Sequence, residues 1–243
     1  MMPLPDSTFR IDFPRDHRIR EVPIVFENLT AARGCPENLV GAKHLPALSI
    51  EGLTRSGVAP VSLKVEAGEI VCLMGASGIG KSLLLRAIAD LDPSHGQIRL
   101  DGRERNDYPA CDWRRRVMLV PSESHWWAPR VGDHFAAIDD PLFQRLGFDR
   151  SAADWPVERL SSGERQRLAL LRALACKPDV LLLDEPTANL DDASAHQVEE
   201  ILFAYCRNTP APVVWVTHSM AQASRVATRT VRLTANGLEQ VHT

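Results

Sequence analysis

IVCLMGASGIGKSLLLRAIADL, residues 70–91, changes character twice. It opens as an unbroken apolar run, as a parallel strand buried on both faces must. It closes with the apolar spacing of a helix over 82–91. Between them, GASGIGKS (75–82) fits the pattern G-x-x-x-x-G-K-[S/T], in the strand–loop–helix setting the pattern requires. Gly75, Gly78 and Gly80 let the backbone fold tightly and aim N–H groups at phosphate oxygens. The spacing therefore predicts a nucleotide-phosphate loop made of Gly75, Ala76, Ser77, Gly78, Ile79, Gly80, Lys81, Ser82 and Leu83. Lys81 would reach the β- and γ-phosphates, and Ser82 would hold Mg²⁺.

The flanks agree with this. LSIEGL (48–53) and VSLKVEAGE (61–69) alternate like half-buried strands, and GQIRLDG (96–102) reads as another. VMLVP (117–121), VLLLD (180–184) and VVWVTH (213–218) are short buried runs, with helical stretches between them such as 193–207. TVRLT (230–234) and GLEQV (237–241) suggest a closing hairpin. Strands alternating with helices predict an α/β fold with a mostly parallel sheet, whose ligands sit beyond the carboxyl ends of the strands. Asp184 ends such a strand in VLLLDEPT and is a candidate for the Mg²⁺ shell. Glu185 follows it, placed to orient a water and accept its proton.

LSSGERQR (160–167) raises a separate question. Ser161 is a good N-cap, and Glu164 completes an S-x-x-E capping box. Leu168, Leu171 and Leu174 with Ala175 then give a helix one apolar face. The helix is expected to start near Gly163, and its N-terminus is a ready anion site. Within the chain, nothing obvious fills it.

The bulk composition is ordinary for a globular protein: 243 residues, 44% hydrophobic, 24% charged, formal net charge −3. This balance gives no reason to expect a nucleic-acid partner. The apolar runs are strand-sized, and the opening MMPLPDSTFRIDFP lacks the apolar core of a signal peptide. The cysteines at 35, 72, 111, 176 and 206 are scattered without metal-ligand spacing, which points to reduced thiols. Residues 1–46 are proline-rich and aperiodic, and read as an irregular extension in which REVPIVFENL is the one strand-like phrase.

Taken in order and spacing, GASGIGKS, LSSGERQR and VLLLDEPTANLD resemble the ATP-binding subunits of ABC transporters over about residues 48–240. The phosphate loop is common to many NTPases; LSSGE is what singles out this family. The resemblance implies a P-loop NTPase with a mostly parallel RecA-like sheet, an N-terminal antiparallel β-subdomain and a small helical subdomain. The ATP-binding domain would span 47–243, with its helical lobe over 122–159, or about 122–175 with the helix that follows. The lone helix end then has its explanation. In the family it is the signature motif, which binds the γ-phosphate of ATP held by a second ATP-binding subunit. Ser161, Ser162, Gly163 and Glu164 stand at that motif. Asp191 in TANLD resembles the D-loop residue at the dimer interface, and His218 the switch histidine; Glu185, His218 and Lys81 would be the catalytic set.

The cofactors implied are ATP and Mg²⁺. The partners implied are a second ATP-binding subunit, as a homodimer, and a transmembrane permease, with no nucleic acid. The place implied is the cytoplasmic face of the inner membrane. Compactness, GERQR and ANLD look most like iron-export-type or lipoprotein-release and macrolide-export-type ATPases, hence export.

Departures from the family pattern stand beside this. Ser122 occupies the usual glutamine position and is the weakest metal-ligand candidate. Ser162 replaces a glycine, Leu83 a threonine and Glu164 a frequent glutamine. Residues 55–57 offer no aromatic for adenine. These keep open the alternative of a nucleotide-binding regulatory module with little turnover. Trp126 and Trp127 lie where the family receives a helix of its membrane subunit; they are either interface anchors or packed inside the lobe.

Overall fold

A computed structural model describes residues 47–56, 58–138 and 140–241. The extension expected over 1–46 lies outside the described residues, as does Cys35. In order, the chain forms β1 (Leu48–Arg55), β2 (Val58–Val65), β3 (Ile70–Met74), α1 (Lys81–Ile88), β4 (His95–Leu100) and β5 (Arg103–Glu104). There follow α2 (Ala110–Arg116), β6 (Val117–Val120), α3 (Asp140–Arg145), α4 (Ser162–Ala175) and β7 (Val180–Asp184). The last elements are α5 (Asp192–Asn208), β8 (Val213–Val216), α6 (Met220–Val226), β9 (Arg229–Thr234) and β10 (Gly237–Val241).

Two sheets result. One is antiparallel, in the order β2-β1-β4-β5. The other runs β10-β9-β3-β8-β7-β6 and is parallel except for the β9–β10 hairpin. This is the P-loop NTPase cassette fold, with an antiparallel β-subdomain beside the mixed sheet.

The apolar runs are explained by burial on both faces. In β3, Ile70, Cys72 and Met74 join one hydrophobic cluster, while Val71 and Leu73 join the other. The same two-residue period sorts Leu181 and Leu183 from Val180 and Leu182, and Trp215 from Val214 and Val216. One cluster is closed by α1 and by Trp113 of α2, whose indole N–H donates to Ile88 O at 3.0 Å. The other is closed by α4 and α5.

Between β6 and α4 there is little regular α-helix: α3 and three 3-10 turns at Gly132–His134, Arg150–Asp154 and Val157–Arg159. A row of aromatic edge contacts orders this stretch: Phe135–Phe143 at 5.1 Å, Phe143–Phe148 at 6.4 Å and Phe148–Trp155 at 6.1 Å. Phe143, Leu146 and Phe148 share a cluster with Leu168 and Leu171 of α4, so the region packs as an outgrowth of the main core.

Candidate active site

The 75–82 loop turns directly out of β3 into α1. Gly75 has φ 152°, and a Cβ there would stand 2.8 Å from Leu233 O, so the loop leaves the sheet through a gap that only glycine fits. Gly80 is the N-cap of α1, with φ 105° and no side-chain cap bond. The first N–H groups of α1 are thus left for an outside acceptor. Ala76, Ser77 and Gly78 form the exposed crest. Lys81 lies beneath it, its Nζ donating to Gly75 O and Ala76 O at 3.0 Å each. Burial lowers the Lys81 pKa, and the negative charges of Glu185 and Asp184 act to raise it. The carbonyls that hold this ammonium are ones a phosphate oxygen can replace.

Asp184 closes β7 and is buried. Desolvation raises its pKa, while the Ser82 side chain and the Ser122 backbone N–H support its charged form. Ser122 thus bonds the Asp184 carboxylate through its backbone N–H. Glu185 follows in the left-handed region, φ 50°, where a non-glycine residue is strained. The strain is held by Glu185 N–H donating to Val216 O at 3.2 Å and by Glu185 O accepting from Ala188 N–H at 3.1 Å. It swings the carboxylate onto His218, whose Nε2 lies 2.7 Å from Glu185 Oε1. Lys81, Ser82, Asp184, Glu185 and His218 therefore converge past the carboxyl ends of β3, β7 and β8.

The 160–167 segment takes its expected local form. Ser161 caps α4: its Oγ accepts from Glu164 N–H at 3.2 Å and donates to Glu164 Oε2 at 2.9 Å, and Ser161 N–H donates to the same oxygen at 2.8 Å. The Ser161 backbone N–H is the main cause that holds the Glu164 carboxyl below its ordinary value. Ser161 and Ser162 are exposed. A Cβ on Gly163 would meet Asn189 O and the Leu190 side chain, each at 3.2 Å, so the glycine lets α4 abut the TANLD loop. Asp191 caps α5, accepting from Ser194 N–H at 2.9 Å. Among the described residues, no hydrogen bond joins 161–164 to the phosphate loop.

Two features escaped the sequence reading. Arg55 stands in the 55–57 stretch that has no aromatic; its Nη1 donates to Leu83 O at 3.3 Å and to Asp92 at 2.6 Å. More important, a buried polar network lies behind Glu185 and His218. Gln222 Nε2 donates to Thr187 Oγ1 and to Glu199 Oε1, both at 2.9 Å, and Gln222 Oε1 accepts from Thr217 Oγ1 at 2.8 Å. Arg225 pairs with Glu199 at 2.8 Å. The hint in the sequence is slight: Ser219 and Gln222 stand among Met220, Ala221 and Ala223 just after His218.

The tryptophan pair divides. Trp126 is half-buried against the core, whereas Trp127 is 74% exposed. Both rings stand 4.8 Å from the Arg172 guanidinium and edge-on to His134. His134 Nε2 accepts from Trp127 N–H and Ala128 N–H at 3.0 and 3.1 Å, which fixes the loop that presents the exposed indole.

Comparison with known proteins places this geometry. Residues 58–188 match the family model described as ABC transporter. An aliphatic sulfonates import ATP-binding protein of Rhodococcus jostii is 34% identical, over 80% of this chain and 84% of its own length. A lipoprotein-releasing system ATP-binding protein of Myxococcus xanthus is 35% identical, over 70% of this chain and 84% of its own. A solved dimeric bacterial ABC transporter cassette superposes with TM-score 0.69 at 22% identity, covering 81% of this chain and 99% of that one, and so shares the fold.

Proposed function

The chain belongs to the ABC transporter family, and from that membership we propose that it binds and hydrolyses ATP as one of two identical copies seated on a transmembrane permease. One observation carries the proposal. Lys81, Ser82, Asp184, Glu185 and His218 gather at one end of the sheet, while among the described residues the side chains of Ser161 and Glu164 hydrogen-bond only to each other's residue. A second copy, facing the first, supplies the missing half. Ser161, Ser162 and Gly163 at the positive end of α4 then receive the γ-phosphate lying on the partner's loop. Asp191, which ends the loop against Gly163, lies at the seam.

Ser82 and Asp184 suit Mg²⁺. Among the described residues no cage of three or more His, Cys, Asp or Glu side chains is present. A hydroxyl and a carboxylate leave room for the waters and phosphate oxygens that Mg²⁺ keeps. When bound, the ion neutralises charge on the β- and γ-phosphates. The residues do the rest. The loop N–H groups and Lys81 hold the phosphates in line, and Glu185 orients the attacking water. Its oxygen attacks the γ-phosphorus, the bond to the ADP oxygen breaks, and Glu185 takes the water's proton. His218 bridges Glu185 and the γ-phosphate.

No helix among the described residues is long and apolar enough to cross a membrane. Membrane attachment is proposed to come through Trp127, an exposed aromatic of the kind that anchors an interface. The place is the cytoplasmic face of the inner membrane. Export is the direction that GERQR and ANLD favour, and one lipoprotein-releasing relative agrees with it; the relatives named for sulfonate, sulfate and taurine import do not, so the direction rests on those two phrases alone. Steady-state ATPase activity across a protein dilution series tests the core proposal. Specific activity should rise with concentration. Activity independent of concentration refutes the shared site, and ATP binding without turnover makes the chain a regulatory module instead.

A further inference from the structure

We propose that Gln222 is a positioning residue that sets the Glu185–His218 pair; this rests on the reading of that pair as the hydrolytic centre. The argument begins with hydrogen-bond capacity. A primary amide has two N–H donors and one carbonyl acceptor. In Gln222 each is used: the donors by Thr187 Oγ1 and Glu199 Oε1, the acceptor by Thr217 Oγ1. The amide cannot be turned over, because its oxygen would then face the Glu199 carboxylate. Gln222, Thr217 and Glu199 are all buried, so the two bonds among them lack competition from water, while the bond to Thr187 is partly buried.

The three partners come from three separate stretches of the chain, the turn after β7, the end of β8 and α5, and the first two flank the site. Thr217 immediately precedes His218, and its Oγ1 also accepts from Ser219 N–H at 3.1 Å, gripping the histidine's backbone from both sides. Thr187 comes two residues after Glu185, in the turn that holds Glu185 at φ 50°. The third partner, Glu199 on α5, is itself fixed by Arg225 at 2.8 Å and by His196 at 3.3 Å. One amide therefore clamps the backbone carrying the histidine to the backbone carrying the carboxylate, and ties both to a charged anchor. The 2.7 Å contact between His218 Nε2 and Glu185 Oε1 is the distance so set. Among the described residues no hydrogen bond or ion pair joins the network to the 75–83 loop, so phosphate binding is expected not to depend on it.

Gln222→Met keeps the side-chain length and removes all three bonds. In full-length protein with ¹⁵N-labelled histidine, His218 is assigned by comparison with His218→Ala. Without nucleotide, the His218 ring ¹⁵N shifts should move in Gln222→Met toward those of a solvated imidazole. Turnover should fall about tenfold to a hundredfold, the cost of a small misplacement of a reacting group. KM for ATP should stay within about twofold, since ground-state binding is untouched. Thr187→Val, which cuts only the Glu185 side, should lower kcat in the same way and add little to Gln222→Met. It carries the test if the methionine variant fails to fold. Unmoved His218 shifts in a folded variant overturn the proposal, as does a loss shared between kcat and KM. If the wild type binds ATP without hydrolysing it, the hydrolytic reading fails, and the ring shifts still decide whether Gln222 places His218.

Discussion

Replacing Ser161 by alanine separates two roles that one hydroxyl holds. Within the chain, Ser161 Oγ caps Glu164 N–H at 3.2 Å and donates to Glu164 Oε2 at 2.9 Å. Losing an N-cap costs about 1 kcal/mol, which for a domain of this size is a fall in Tm of about 2–4 °C. Across the proposed dimer the hydroxyl does more. A hydrogen bond to a charged group is worth about 1.5–3 kcal/mol, and from it comes off the ~1 kcal/mol bond to Glu164 that must open first. About 0.5–2 kcal/mol remains per site. Two sites give about 1–4 kcal/mol, or a fivefold to thousandfold weaker dimer at ~1.4 kcal/mol per decade.

The assay is sedimentation of the protein with ATP and Mg²⁺ in a Glu185→Gln background, where hydrolysis does not disperse the dimer, alongside thermal melts without nucleotide. Ser161→Asp supplies the control, since aspartate caps as well as serine but, ionised, has no hydrogen to donate to a phosphate. It should melt like the parent and dimerise no better than Ser161→Ala. If both variants lose thermal stability or neither does, and ATP-driven dimerisation is unchanged in each, then Ser161 is a helix cap and the shared-site argument is refuted.

Other outcomes follow from the same geometry. Glu185→Gln should lower turnover by roughly 10²–10³, the scale of one key transition-state group, while ATP binding persists and the dimer lasts longer in sedimentation. Gly75→Ala should abolish binding of a fluorescent ATP analogue, because its Cβ would press on Leu233 O from 2.8 Å at a φ of 152°. Asp184→Asn should raise the Tm of nucleotide-free protein while ending hydrolysis. Burial raises the Asp184 pKa, so the native state binds the extra proton, and stability falls as pH rises from the unfolded pKa through the folded one. At neutral pH the charge is therefore a cost, and the gain from asparagine should vanish in melts taken below the ordinary carboxylate range. Trp127→Ala should leave the melt within about 0.5 kcal/mol, as surface changes do, yet reduce co-purification with membranes.

What could be read in advance was what the chain encodes locally. The phosphate loop declares itself because its turn needs glycines at fixed offsets between a strand and a helix. The capping box declares itself because Ser161 and Glu164 are a turn apart. The buried strands declare themselves because both faces of the mixed sheet are covered, so VLLLD and IVCLM carry no polar interruption. The division of the tryptophan pair was not legible. Trp126 turns inward and Trp127 outward because His134, from a 3-10 turn, grips the backbone after them, and no periodicity encodes that. Nor was Arg55, whose partner Asp92 comes from the turn that follows α1.

The Gln222 network shows the limit in its clearest physical form. Its bonds to Thr187 and Glu199 join residues 35 and 23 positions apart, one in the turn after β7 and the other on α5. Threonine, glutamine and glutamate in such places read individually as side chains that face water. Their meaning comes from burial, which converts an ordinary amide into one whose every donor and acceptor must be matched. The left-handed φ of Glu185 belongs to the same class of fact. No residue preference announces it, since glutamate has no special tolerance for that conformation. It is imposed by β8 through Val216 O and retained because it aims the carboxylate at His218. The groups that touch substrate can thus be named from motifs, but the strain and the clamp that aim them come from the packing of β7, β8, α5 and α6 together.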